Sequence, residues 1–246
     1  MLSTIPDLLR QLRSGHHASS PRLTWYGPGG ERIELSGRVL DNWVAKTSNF
    51  LSEELEAERG TRVRLDLPAH WKSVVVALAA WQVGAVVLDG DASAAEITFE
   101  GPGTLQDSAD DAVAPGGERV AVALGALELA YPGELPEGTH DYAALVRQFA
   151  DSFEPFDPPA PDDVALASAG EELTQEALLR DFAVPAVEGA RILVGAGEGL
   201  RDVLARLLGA WAAGGSAVLL HEEVRETATL RSAEKISSAE KISESD

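Results

Sequence analysis

Two stretches with the same grammar decide the fold: Arg62–Asp91, RVRLDLPAHWKSVVVALAAWQVGAVVLDGD, and Arg191–Glu223, RILVGAGEGLRDVLARLLGAWAAGGSAVLLHEE. In each, an apolar strand leads through a short loop into an apolar helix that ends near a tryptophan, Trp81 in one and Trp211 in the other. Small residues follow, Gly84-Ala85 and Gly214-Gly215, and then a second strand, AVVL or AVLL. Strand, helix and strand in this order form a right-handed βαβ unit. Its recurrence about 130 residues along the chain predicts a pseudo-duplicated architecture. The strands are apolar throughout, as expected where helices cover both faces of a parallel sheet. The expected fold class is therefore α/β, with two pseudo-repeated βαβ halves of roughly residues 1–100 and 101–228 and parallel sheets covered by helices. Residues 229–246 are expected to form an exposed or disordered tail.

Working outward, Leu2, Ile5, Leu8, Leu9 and Leu12 recur at helical spacing and predict an amphipathic helix that docks on the domain. LTWY (Leu23–Tyr26) and RIEL (Arg32–Leu35) flank GPGGE, a hairpin signal. The next segment predicts a helix whose core face carries Val39, Trp43, Thr47, Phe50, Leu51 and Leu55 and which ends at Gly60. Further on, Gly101–Glu118 reads as a loop, Arg119–Leu127 as a buried strand, and HDYAALVRQFADSF as a helix before the proline-rich EPFDPPAPDD. The C-terminal stretch repeats SAEKIS twice in tandem and has few apolar residues.

Forty acidic residues against twenty basic ones leave a net charge of −20, which repels phosphate backbones and anionic membrane surfaces. Nucleic acid is thus an unexpected partner. The absence of cysteine excludes disulfides, thiolate catalysis and Cys-based zinc sites. The longest apolar run, Val74–Trp81, is far short of a membrane span, and the N-terminal residues lack an apolar signal core, so no membrane insertion and a cytoplasmic location are expected. A protein partner, a small ligand and self-association all remain open.

Gly195, Gly197 and Gly199 invite a dinucleotide reading, with Glu222 about 20 residues on as the ribose-binding acid. The register fails, because Leu200 stands where the third glycine is needed, and Glu198 would compete with a phosphate for the positive end of the helix. The matching turn LPAHW carries no glycine, so βαβ packing is the feature the two units share. The histidines His16, His17, His70, His140 and His221 form no paired metal spacing. There is no GxSxG elbow, His70 reads as a cap at the helix start, and Glu222 and Glu223 read as solvated strand-end charges. No catalytic residue, metal site or cofactor is expected from these motifs.

The segment GTRVRLDLPAHWKSVVVALAAWQVGAVVLDGD resembles the first βαβ unit of the adenylate-forming enzymes of the acyl-CoA synthetase type. LTWYGPGGERIELSGRVLDNWVAKTSNFL resembles the segment before it, and RILVGAGEGLRDVLARLLGAWAAGGSAVLL the second unit. In that family a Gly/Ser/Thr-rich phosphate loop, SGTTGxPKG, follows an Asp-Asp-x-Ala strand. Here Asp162-Asp163-Val164-Ala165 supplies the lead-in but LASAGEELTQ follows, so the resemblance leaves only Ser168 and Gly170 as vestigial phosphate-loop positions. Glu171 and Glu172 stand where donors to a triphosphate would be, the loop lysine is missing, and Ser168 and Glu171 also fit an S-x-x-E capping box. The sequence ends before the positions of the family's later adenine and ribose motifs and of its C-terminal lid with a catalytic lysine. The resemblance implies a non-catalytic protein acting by binding or assembly. Its alternatives are residual binding of a nucleotide, acyl-adenylate or CoA-like ligand, or synthetase activity with a partner supplying missing parts.

Overall fold

A computed structural model describes residues 2–15, 18–90, 95–105, 116–125, 128–168 and 170–237. Its strands are β1 (Pro21–Tyr26), β2 (Arg32–Ser36), β3 (Arg62–Asp66), β4 (Val86–Asp89), β5 (Ile97–Glu100), β6 (Glu118–Ala121), β7 (Thr139–Asp141), β8 (Val164–Ser168), β9 (Glu171–Thr174), β10 (Arg191–Gly195) and β11 (Ser216–Leu220). Its α-helices are α1 (Ile5–Arg13), α2 (Gly37–Asn49), α3 (Trp71–Val83), α4 (Tyr142–Leu145), α5 (Gln175–Ala177), α6 (Leu200–Ala212) and α7 (Ala228–Ala233). One sheet has the order β10-β11-β1-β2 and the other β7-β6-β5-β3-β4-β8-β9. Pairing is parallel except for the hairpins β1-β2 and β8-β9.

The two βαβ units are β3-α3-β4 and β10-α6-β11, and their closing hydrogen bonds correspond one for one. The amide of Gly60 donates to Gly84 O as Gly189 does to Ala213 O, and Val86 donates to Thr61 O as Ser216 does to Ala190 O. The capping turns match too, with Ala85 donating to Ala80 O and Gly215 to Ala210 O. The likeness continues into the strands beside them. β8 pairs with β4 as β1 pairs with β11, and each begins a hairpin whose register shifts at the same place, between Val164 and Leu166 and between Pro21 and Leu23. After each hairpin a hydroxyl caps a helix, Ser36 accepting from Val39 N and Thr174 from Ala177 N, and each helix loosens into a π-helical turn.

The hairpins, however, have changed places. The early hairpin β1-β2 completes the sheet of the late unit, and the late hairpin β8-β9 completes the sheet of the early one. The expected halves 1–100 and 101–228 are therefore not separate sheets. β1 covers the free edge of β11 and β8 that of β4, so the edges of the two sheets fall instead at β10 and β2 and at β7 and β9.

Helices fill the space between the sheets. α3, WKSVVVALAAWQV, is apolar on nearly all sides and all its residues are buried, as a helix enclosed on every face must be. It packs on β3 and β4 and against α1, α2 and α6, while α2 and α6 pack on the four-stranded sheet. One large hydrophobic cluster reaches from Ile5 to Leu219, with two smaller ones beside it, around Tyr131 and around Val86 and Leu88. α1 docks through Ile5, Leu8, Leu9 and Leu12 as its spacing predicts. On α2 the buried face runs through Gly37, Leu40, Val44, Thr47 and Ser48, whereas Val39 is 39% exposed and Trp43 only half-buried. The helix starts at Gly37, whose position against the Leu12 carbonyl turns Leu40 rather than Val39 inward.

Two other segments depart from the sequence expectation. The expected strand Arg119–Leu127 is strand only as far as Ala121, and residues 126–127 lie outside the described ones. The expected helix after His140 is one short turn of α-helix followed by a 3-10 turn, Val146–Gln148. Beyond residue 229 the chain runs through α7, a short helix with no buried residue, and the buried Glu234 then ties it to the sheet; residues 238–246 lie outside the described ones.

Candidate functional site

The resemblance places the vestigial phosphate loop after β8, and its geometry there is that of a hairpin. Ser168 ends β8 and pairs directly with Glu171, the first residue of β9. Gly170 makes the turn at φ +87°, a conformation that glycine adopts without a Cβ penalty. Ser168 and Glu171 therefore do not form the expected capping box. The residue that caps is Thr174, three positions beyond Glu171, where the helix begins. Glu171 and Glu172 are exposed on the strand.

A cation does reach this turn, from a part of the chain that a reading of the local sequence misses. Arg201, in the first turn of α6, sends Nη1 to Asp89 Oδ2 at 2.5 Å and Nη2 to Glu171 Oε2 at 3.4 Å. Its guanidinium carbon lies 5.2 Å from the ring centre of Phe182. The C-terminal ends of β4 and β8, the β9 turn and the start of α6 thus meet around one arginine that already has two carboxylate partners. Strand C-termini at such a junction are where ligands of open α/β sheets bind.

The glycine turn after β10 is a second cleft of about 490 Å³, lined by Gly195, Gly197, Glu198, Arg206, His221 and Glu222 among others. Ala196–Glu198 form a 3-10 turn, so Glu198 precedes α6 rather than lying in its first turn, and Glu198 Oε1 sits 2.5 Å from Arg206 Nη1. Glu222 and Glu223 are exposed, and Glu223 N donates to His221 Nδ1 at 3.2 Å.

His70 caps α3 as its sequence position suggests. Nδ1 accepts from Lys72 N at 3.1 Å, and the ring meets Trp25 edge-on at 4.6 Å between centroids. Burial, with help from the nearby charges of Lys72 and His221, pushes the imidazole down to about 3, so it is neutral in the fold. Lys72 is the second polar residue that sequence reasoning passed over. Its Nζ donates to Ala123 O at 2.5 Å and Gly125 O at 2.8 Å, tethering the strand exit after β6 to α3, and burial brings its ammonium down to about 8. The one charged residue in a largely apolar helix was the available signal. His140 lies apart, with Nε2 2.9 Å from Glu118 Oε2, and His16 and His17 lie outside the described residues. Among the described residues no three His, Cys, Asp or Glu side chains are grouped to hold a metal, and no helix is long and apolar enough to cross a membrane.

No family model matches the chain. A TIGR03089 family protein from Mycobacterium tuberculosis is 36% identical over 168 residues, 68% of this chain and 66% of the relative. A Brucella canis acyl-CoA synthetase superposes with a TM-score of 0.74 at 17% identity, covering 96% of this chain and 46% of the synthetase. The anthranilate CoA ligase AuaEII, in complex with anthranoyl-AMP, gives a TM-score of 0.69 at 16% identity over 94% of this chain and 46% of the ligase. This chain thus spans just under two thirds of its curated relative and under half of the ligases. Its two sheets, their helical filling and the order of its elements are those of the N-terminal region of the adenylate-forming acyl-CoA synthetases, whose fold this chain has.

Proposed function

We propose that this chain does not form acyl-adenylates and acts instead by binding or assembly. The observation that carries this reading is the β8-β9 hairpin, in which the turn at Gly170 leads straight into Glu171 and Glu172. Adenylate formation needs a loop of donors and a cation around phosphates whose charge grows as pyrophosphate leaves. A strand edge carrying two carboxylates repels that charge, and the nearby Arg201 is already paired with Asp89 and Glu171. The test is ATP–pyrophosphate exchange on the purified protein at high concentration, with short, medium and long carboxylic acids. No exchange above buffer is expected. Exchange with any acid that is lost on substituting Ser168 or Gly170 overturns the proposal.

Arg201 favours one alternative, residual binding of an anionic ligand such as a nucleotide or acyl-adenylate at the same turn. A ligand specific for the folded chain raises its melting temperature. A rise with ATP, AMP, CoA or an acyl-adenylate analogue that disappears in Arg201→Ala supports this second reading.

A further inference from the structure

The carboxylate of Glu234 is gripped from three strands. Arg191 Nη2 on β10 donates to Oε2 at 2.5 Å, while Oε1 accepts from Tyr26 Oη on β1 at 2.5 Å and from Arg32 on β2, Nη2 at 2.9 Å and Nε at 3.0 Å. Arg191 also reads the main chain of the segment. Its Nε donates to Glu234 O at 2.7 Å, its own amide to Ser237 Oγ at 3.0 Å, and Ser237 N returns a bond to Arg191 O at 2.9 Å. Arg191 is itself positioned by Ser216 Oγ and Thr24 Oγ1. Between these anchors Lys235 turns the chain at φ +53°. The clamp therefore recognises a glutamate and, three residues on, a serine, by charge-assisted and main-chain hydrogen bonds.

Glu234-Lys235-Ile236-Ser237 belongs to the first SAEKIS copy, residues 232–237, and residues 238–243 repeat it without a change. Every group that the clamp reads recurs six positions later, as Glu240 and Ser243. We propose that the Tyr26-Arg32-Arg191 clamp is a binding site for a Glu-x-x-Ser peptide for which the chain carries two interchangeable ligands, Glu234–Ser237 and Glu240–Ser243. This inference is independent of the reading of the β8-β9 turn.

The two registers differ only outside the clamp. Bringing Glu240 rather than Glu234 to the site lengthens the span from Leu220 by six residues, a loop-closure penalty of about a factor of two. Thr227 caps α7 by accepting from Leu230 N, and six residues on Ala233 stands in that place. Loss of a cap is worth roughly fivefold. The first register is thus favoured by roughly tenfold, and the second takes over when the first is blocked.

Hydrogen exchange at the Arg191 amide, whose proton is bonded to a serine hydroxyl in either register, reads occupancy of the clamp in the full chain. Glu234→Lys sets a cation against Arg32 and Arg191 and abolishes the first register. Protection is expected to fall by only about tenfold in this variant, to stay unchanged in Glu240→Lys, and to be lost in the double variant. Equal loss in Glu234→Lys and the double variant overturns the proposal. Should Glu234→Lys not fold, Glu234→Ala against Glu234→Ala/Glu240→Ala makes the same comparison without the added repulsion.

Discussion

Trp81 and Trp211 hold equivalent places in halves that have exchanged their hairpins. The indole of Trp81 donates to Ala165 O at 2.8 Å, and that of Trp211 donates to Arg22 O at 3.0 Å. Each acceptor is the residue skipped where its hairpin register shifts, so each indole satisfies a carbonyl at the irregular point of a strand from the other half. Both side chains are fully buried.

Equivalence of place predicts equivalence of cost. Trp81→Phe and Trp211→Phe each remove a buried donor and some core volume, and each is expected to destabilise by about 2–4 kcal/mol. Urea unfolding of the two variants checks this. A difference of more than about 2 kcal/mol between them removes the claim that the two contacts do the same job.

Close backbone approach makes a sharper prediction at Gly209. A Cβ there would lie 1.6 Å from Val184 O, and the contact is backbone to backbone, with Val184 N bonded to Ala205 O nearby. Gly209→Ala is expected to cost about 1–3 kcal/mol or more, whereas Gly197→Ala, with nothing within 4 Å, should stay within about 0.5 kcal/mol. Thermal melts of the pair test the contrast.

How much of this was legible in sequence divides along the same line between local and distant chemistry. The two βαβ units, α1 and the β1-β2 hairpin follow from apolar periodicity and turn glycines, which act within a few residues. The exchange of hairpins does not, because strands such as β1 and β8 carry no local mark of which neighbour they will join. The S-x-x-E of Ser168 and Glu171 is a true capping signature only where a helix follows at once, and here Gly170 turns the chain back before Thr174 starts one. Arg201 was invisible as a site residue because it reaches the β9 turn from the start of another helix. Glu234 was hidden for a similar reason, in a polar tail whose partners are spread over three strands.

The buried imidazole of His70 makes stability depend on pH. Its proton affinity is depressed from the ordinary 6.5 to about 3 in the fold, so the unfolded chain binds more protons between those values. The stabilisation is present above pH 6.5 and is lost as the pH falls towards 3, with a slope approaching roughly 1.4 kcal/mol per pH unit. His70→Asn keeps a residue suited to capping and removes the titration, so its stability profile from pH 6.5 to 4 should be flatter than that of the parent chain. Parallel slopes in the two proteins refute the assignment.

Arg201 is expected to matter little to stability. Its side chain is 35% exposed and its partners are 39% and 55% exposed, so Arg201→Ala should change unfolding free energy by no more than about 1 kcal/mol. A larger loss in denaturant titrations shows instead that the arginine locks α6 onto the first unit.

The exchange of hairpins also sets an order of events for a chain made from its N-terminus. β1 offers its edge to β11, with Leu23 opposite Ala217 and Trp25 opposite Leu219, so β1 must wait for the last of the described strands. At ordinary rates of synthesis that interval is roughly 10–40 s. Throughout it Leu23 and Trp25, both fully buried at the end, have no sheet to enter. A ribosome stalled before β11 therefore holds a nascent chain whose early hairpin has an open, apolar strand edge, a surface suited to a chaperone.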